Sequence, residues 1–385
     1  MSKQDLPIIA KTFGSAAEIG AESWDLCAGE QNPFVKYSFF DALERSGSAT
    51  ALTGWHPQHI GLIGEGDTIN AIMPAYIKSH SQGEYVFDHA WADAYARAGG
   101  NYYPKLQISV PFTPASAPKL LLNPSAPKQL LHALPDAAAS ATIQLGCSSA
   151  HATFLSKAEL EIFKSNGWLE RNDQQFHWTN HEYASFDHFL ESLTSRKRKA
   201  IRKERREALA SGIEVVWKTG SDITEEDWDV FFEFYQDTGA RKWGSPYLNR
   251  TFFSMIGQNM ADRVLLMFAK DGERTIAGAL NFIGKDTLFG RYWGCNTHVP
   301  FLHFELCYYQ AIDFAIEHKL KRVEAGAQGG HKLARGYEPV TTYSAHYIAH
   351  PAFREAIEDY LVNERAHVAL DQTEMSKYTP FKKQT

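Results

Sequence analysis

The stretch RVLLMFAKDGERTIAGALNFIGKDTLFGRYWG, residues 263–294, decides the fold. It contains three strand-length apolar segments, at 263–269, 275–284 and 287–294. Downstream, the spacing predicts a long helix at 303–318, a strand at 321–327, a strand in SAHYIAH (344–350) and a closing helix at 352–369. Upstream, helices at 185–193 and 196–210 stop at Gly212, and a strand follows at 213–219. TEEDWDVFFEFYQDTG (224–239) opens with Thr and early carboxylates, as a capped helix does. The first half has a similar order. A helix at 33–47 precedes strands at 59–64, 69–79 and 105–110, with an irregular aromatic stretch at 84–104. A Pro-rich loop with a short strand inside it (111–128) leads to a helix from Lys128, a strand at 142–147 and a helix at 156–166. This is the pattern of an α/β fold with mixed sheets, and its repetition predicts two related domains, 1–180 and 181–385.

Composition sets bounds. A chain of 385 residues suits two or three domains and buries a core without disulfide or metal staples. Hydrophobic residues at 44% and charged residues at 22% are ordinary for a soluble globular protein. An aromatic content of 13% also suits a cleft for a sizeable organic ligand. Cys27, Cys147, Cys295 and Cys307 form no CxxC and no zinc or disulfide spacing, so they read as reduced, buried thiols. The first twenty residues lack a signal-peptide core, and apolar windows such as VLLMFA (264–269) are too short to cross a bilayer. The expectation is a cytoplasmic protein with no membrane insertion and no resident metal. Its net charge of −6 argues against a DNA partner.

Against that negative balance stands SRKRKAIRKERREA (195–208), where eight of the eleven residues 196–206 are basic. Wound as a helix, Leu193, Ala200, Ile201 and Ala208 form an apolar arc. Arg198, Arg202 and Arg205 line one edge of that arc, while Lys199, Lys203 and Arg206 face outward. Lys203 and Glu207 are spaced for an i,i+4 pair. Three readings stand: a solvated charged face, an arginine row that contacts phosphate, or a nuclear-import signal, which the run's place inside an expected helix disfavours.

A second dense region is 291–346. His303 and Glu305 fall in the first turn of the expected 303–318 helix, while Leu306, Tyr309 and Ile312 face the core. Gly326, Gly329 and Gly330 form a turn after a strand, with Gln328, His331, Lys332 and Arg335 around it. Such a loop either meets an anion or carbonyl oxygen or is a solvated turn. No GxSxG, HExxH or GxxxxGK[ST] motif occurs. His346 and His350 lie in an expected strand, about 13 Å apart, too far for a shared zinc.

NPFVKYSFFDALERSGS (32–48), SRKRKAIRKERREA, RYWG (291–294), LHFELCYYQAIDFAIE (302–317) and EAGAQGGHKLARGY (324–337) together carry a resemblance. The chain resembles the FemAB-like branch of the GNAT superfamily, the predicted N-acyltransferases of peptidoglycan biosynthesis/recognition, from about Asn32 to about Arg365. The resemblance implies two tandem GNAT-like domains and acyl transfer to an amine. The donor would be aminoacyl-tRNA or an acyl-CoA, and the acceptor an amine-bearing small molecule or peptide such as a peptidoglycan precursor. The usual GNAT pyrophosphate loop, Gln/Arg-x-x-Gly-x-Gly/Ala, is missing, and ARAGGN (96–101) has the wrong glycine spacing. That departure favours an aminoacyl donor over acetyl-CoA. In this setting Glu305 or His303 is expected to move the proton, with Lys332 and Gln328 near the oxyanion. Arg198, Arg202, Arg205, His331 and Arg335 are expected to bind substrate or phosphate, with Trp243 and Trp293 lining the cleft. The rival readings are a CoA-dependent N-acetyltransferase with an atypical loop and a binding module without chemistry.

Overall fold

The computed structural model describes residues 8–243, 246–326 and 329–382. The chain divides into two compact units. One is built from the chain up to Glu30, Phe34–Asp173 and Thr342–His367. The other takes Gln31–Pro33, Gln174–Thr341 and the chain from Val368 onward.

The first unit contains β1 (Ile9–Phe13), β2 (Trp55–Pro57), β3 (His59–Ile63), β4 (Ile69–Met73), β5 (Tyr76–Lys78), β6 (Lys105–Ile108), β7 (Leu121–Leu122) and β8 (Ser149–Leu155). An antiparallel sheet has the order β1-β3-β4-β7. The strand expected at 69–79 is broken at Pro74, which has no N–H for a ladder, and its two parts enter different sheets. β5 pairs with β2 and β6, and β6 runs parallel to β8.

Two further expectations change here. The strand expected at 142–147 is instead the end of a helix, Ala133–Gln144, and the strand begins at Ser149. Leu134, Ala138 and Ala141 form one buried helical face there, and Thr142 donates its hydroxyl to Ala138 O (2.7 Å). Packing of that face overrides the β-branched pair Thr142-Ile143. The aromatic stretch expected to be irregular contains a helix, His89–Arg97. Of the thiols, Cys27 and Cys147 are buried, but Cys295 and Cys307 are half-buried.

β9 (Leu169–Thr179) leads into the second unit, which holds β10 (Ile213–Thr219), β11 (Val264–Asp271), β12 (Arg274–Ile283), β13 (Thr287–Cys295) and β14 (Arg322–Glu324). β11 to β13 form the antiparallel meander that the opening stretch predicts, and β10, the strand expected at 213–219, pairs with β11 at its edge. β14 joins β13 in parallel over only Thr287–Phe289, and its other edge meets the end of β9. β12 and β13 shift register near Arg291. The helix expected at 224–239 runs Glu225–Trp243, and a further helix, Arg250–Asn259, went unread in the sequence. Gly294 on β13 lies so close to the first of these that a Cβ there would sit 2.2 Å from Phe234 O. Finally β15 (Glu338–Ile348) returns to pair with β8, and the chain closes in the helix Pro351–Ser376. The second unit's core gathers Ile201, Leu265, Met267, Leu306, Tyr309 and Ile312, all nearly inaccessible, as the amphipathic spacing of the helices requires.

Candidate functional site

The helix after β13 is not uniform. It starts at Leu302–Phe304, widens into a π turn over Glu305–Tyr309, and continues as Gln310–Glu317. A π turn adds a residue to the repeat and re-aims the side chains around it. On one side, the His303 ring meets Trp293 edge-on (5.2 Å between centroids) and lies 5.5 Å from Tyr308. Glu305 instead faces the basic helix.

His303, Trp293 and His331 therefore do come together. The Tyr308 hydroxyl and His331 Nε2 are 2.9 Å apart, and the His331 ring lies 5.5 Å from Phe304 and 6.4 Å from His303. Burial, then the charges of Arg335 and Lys332, lower the His331 pKa and favour its neutral imidazole. Lys332 is buried, and its ammonium donates to Ala325 O (2.6 Å) and Gly326 O (2.9 Å) just past the end of β14. Burial pulls its pKa down to about 8. Gln328 lies outside the described residues, as does the Trp243 side chain.

The arginines divide into two groups. Arg205 and Arg335 are taken by carboxylates. Arg205 pairs with Glu305 and Asp313. Arg335 pairs with Glu204 (2.8 Å), donates to His331 O (2.7 Å) and stacks on Phe304 at 3.5 Å. Glu204 also accepts from the Tyr309 hydroxyl. Glu305 is fully buried and receives Gln310 Nε2 (2.8 Å) besides Arg205. Burial raises the Glu305 pKa, with Arg205 pulling it back. Arg198 and Arg202 stay toward the outside. Arg198 is half-buried, and exposed Arg202 makes a surface pair with Asp187 (2.8 Å), a kind of contact worth little. The expected Lys203–Glu207 pair forms at 3.6 Å.

The basic helix (Ser195–Ala208) is thus anchored on its inner side by Glu204 and Arg205, while Arg196, Lys199, Arg202, Lys203 and Arg206 remain exposed. The sequence reading passed over Phe304, Tyr308, Glu204 and Asp313. Tyr308 and Phe304 carry a detectable signal, since aromatic residues flank both histidines in HFELCYY, but the partners of Glu204 and Arg205 lie more than 100 residues away or at that distance.

A family profile described as peptidoglycan biosynthesis/recognition, FemAB-like, matches residues 15–383. No curated protein matches in sequence. Among solved structures, FemX is similar with a TM-score of 0.54 at 13% identity, over 91% of this chain and 100% of that one. L-PGS from Bacillus licheniformis is similar with a TM-score of 0.52 at 10% identity, over 87% of this chain and 98% of that one. The C-terminal domain of a putative lysylphosphatidylglycerol synthetase from Agrobacterium fabrum gives 0.52 at 11% identity, over 91% and 97%. At these identities the structures establish the fold, and the family match covers almost the whole chain. The chain belongs to the FemAB-like family of peptidoglycan biosynthesis and recognition.

Proposed function

We propose that this chain transfers an aminoacyl group from a phosphate-bearing donor, aminoacyl-tRNA, to the amine of a peptidoglycan-type precursor, forming an amide. The observation that carries the reading is the cluster of His303, Tyr308, His331 and Lys332 where β14 stops accompanying β13. The amine attacks the ester carbonyl, the carbon–oxygen ester bond breaks, and a base takes one proton from the amine and passes it to the departing oxygen, which leaves as a hydroxyl. His303 is that base in this reading, because Glu305 is enclosed by Arg205 and Gln310 and serves instead to fix the helix. Lys332 is a positioning residue that holds the Ala325–Gly326 carbonyls. With Arg205 and Arg335 already paired, Arg198, Arg202 and the exposed lysines of the basic helix bind the donor's phosphates. The name of the Agrobacterium relative, a lysylphosphatidylglycerol synthetase, fits an aminoacyl donor.

The test is product formation. The protein is incubated with charged tRNA or with an acyl-CoA, together with amine-bearing precursors, and amides are sought by mass spectrometry. Amide from charged tRNA supports the reading. Amide from acyl-CoA alone replaces the donor, and no amide from either removes the reading.

A further inference from the structure

Of the eleven residues 196–206 in the basic helix, eight are basic, Ala200 and Ile201 belong to the apolar arc, and Glu204 is the single carboxylate. A carboxylate repels phosphate, so it does not serve a face that binds a polyanion. Glu204 is turned away from that face. Its side chain is 18% exposed, against 54% for Arg202 and 64% for Lys203 just before it.

The partners of Glu204 lie in the short helical turn Gly330–Arg335 and in the π turn, all within the second unit. The Arg335 guanidinium joins two groups. Its Nε donates to Glu204 Oε2 (3.1 Å) and its Nη2 to Glu204 Oε1 (2.9 Å), while Nη1 donates to the His331 carbonyl oxygen (2.7 Å). One face of the guanidinium covers the Phe304 ring, and Arg335 is buried. Glu204 also accepts from the Tyr309 hydroxyl. A planar fork gripped at both ends has one orientation, which a lysine ammonium in its place would not have.

The turn 330–335 depends on such anchors. Its backbone bonds run within the turn, from Lys332 N to Gly329 O (3.0 Å) and from Gly336 N to Leu333 O (3.2 Å). Side chains fix it to its surroundings: Lys332 at the Ala325 and Gly326 carbonyls, Leu333 in the core, and Arg335 at Glu204. Arg335 is the anchor that also bonds the His331 peptide. The placement of that peptide sets where the His331 ring points, and so whether Nε2 meets the Tyr308 hydroxyl at 2.9 Å beside His303. A displacement of about 1 Å in such a cluster can cost on the order of 10²-fold in rate.

We propose that Glu204 is a positioning residue for the transfer: through Arg335 it fixes the His331 peptide, and with it the Tyr308–His331 pair that flanks His303. The helix that takes the donor's phosphates thereby also sets the proton-moving cluster, and its one inward carboxylate serves geometry rather than binding. The role in transfer rests on the reading above, whereas the link from Glu204 to His331 rests on these contacts alone.

The test compares the full chain with Glu204→Gln, which loses the charge and one acceptor oxygen, and with Arg335→Lys, which keeps the charge and loses the fork. Both are assayed where circular dichroism shows them folded. With charged tRNA as donor, Glu204→Gln should lower kcat at least about tenfold. KM for the tRNA should stay the same or fall, since a carboxylate has left a phosphate-binding helix. The double variant should lie within about twofold of the weaker single variant, because both substitutions cut one link. An undiminished kcat, a KM that rises in step with the loss, or losses that multiply in the double variant would each overturn the proposal.

A second readout needs no turnover. Histidine labelled at its ring nitrogens is followed by NMR across a pH series, and the His331 signals are assigned by their absence in His331→Gln. Arg335, Lys332, Tyr308 and His303 surround this ring, and the first two charges lower its pKa. With Glu204 no longer balancing Arg335, the His331 midpoint in Glu204→Gln should move to lower pH. Unmoved His331 signals overturn the link whatever the turnover. Moved signals without amide from any donor keep the link and remove only the transfer reading.

Discussion

Arg205 sets its Nε 3.2 Å from each carboxylate oxygen of Glu305, and its Nη2 spans from Glu305 Oε1 (2.9 Å) to Asp313 Oδ2 (2.7 Å). The guanidinium thereby ties the basic helix to both the π turn and the helix beyond it. Removing one member of a buried pair strands the other, at about 3–5 kcal/mol. Arg205→Met leaves Glu305 wholly buried beside apolar neighbours and should destabilise by about 3 kcal/mol or more. Glu305→Gln leaves Arg205 with Asp313 and should lose about 1–2 kcal/mol. Urea unfolding of both variants checks the order, and the reverse order would mean that the pair does not hold the turn.

The outer face of the same helix should behave differently. Arg198→Gln with Arg202→Gln should leave the unfolding midpoint nearly unchanged. It should weaken binding of charged tRNA and reduce the slope of log K against log salt by about 2, one for each lost phosphate contact. Filter binding across a salt series measures this, and an unchanged slope would return these arginines to the solvent.

His303→Gln should lower kcat by about 10²- to 10⁴-fold with little change in KM, the signature of a lost proton acceptor. Single-turnover rates with saturating donor separate that loss from weaker binding. A variant with full kcat would move the role to another group of the cluster.

Lys332 gives a pH signature. Its folded pKa lies near 8, against an ordinary value of 10.5. Between those values the unfolded chain carries the proton and the folded chain does not, so this residue makes stability rise with pH from about 8 to 10.5. Below pH 8 both states are protonated and the burial penalty is constant. The difference in unfolding free energy between the unsubstituted protein and Lys332→Met should therefore grow in favour of the former across that window. A flat difference would place the amine in water.

Gly294→Ala should destabilise by about 2 kcal/mol or more, because the added methyl meets the Phe234 carbonyl oxygen of a packed helix rather than a side chain able to swing away. Thermal unfolding reads this directly.

Particular residues show what the sequence can and cannot disclose. The meander at 263–294 is legible because each strand repeats apolar positions between short turns, and local pattern suffices. Arg205 is different. Its place at the edge of an apolar arc is correctly legible, but Glu305 and Asp313 stand 100 and 108 positions away, so a buried ion pair looks the same as a waiting phosphate site. A polar strand face in the first unit is hidden for a related reason. Lys78, Lys105 and Gln107 alternate with apolar neighbours as residues of a half-solvated strand do, and residues outside their own strands, segment 79–104 and Trp55 among them, make them interior. At 142–147 the β-branched residues are legible, but the small buried face that draws them into a helix depends on what packs against it.

The return of β15 to β8 fixes an order of events during synthesis. His151 and His346 touch across 195 positions, and Gln174–Thr341, nearly all of the second unit, lies between them. At about 5–20 residues per second, a ribosome needs on the order of 10–40 s to make that interval. Throughout that time β8 lacks β15, and the edge of β8 that carries His151 stays open on that side. The second unit can meanwhile assemble from largely contiguous chain. The part of the molecule translated first is therefore completed late, and its exposed strand edge makes chaperone access most consequential before Ile348 emerges.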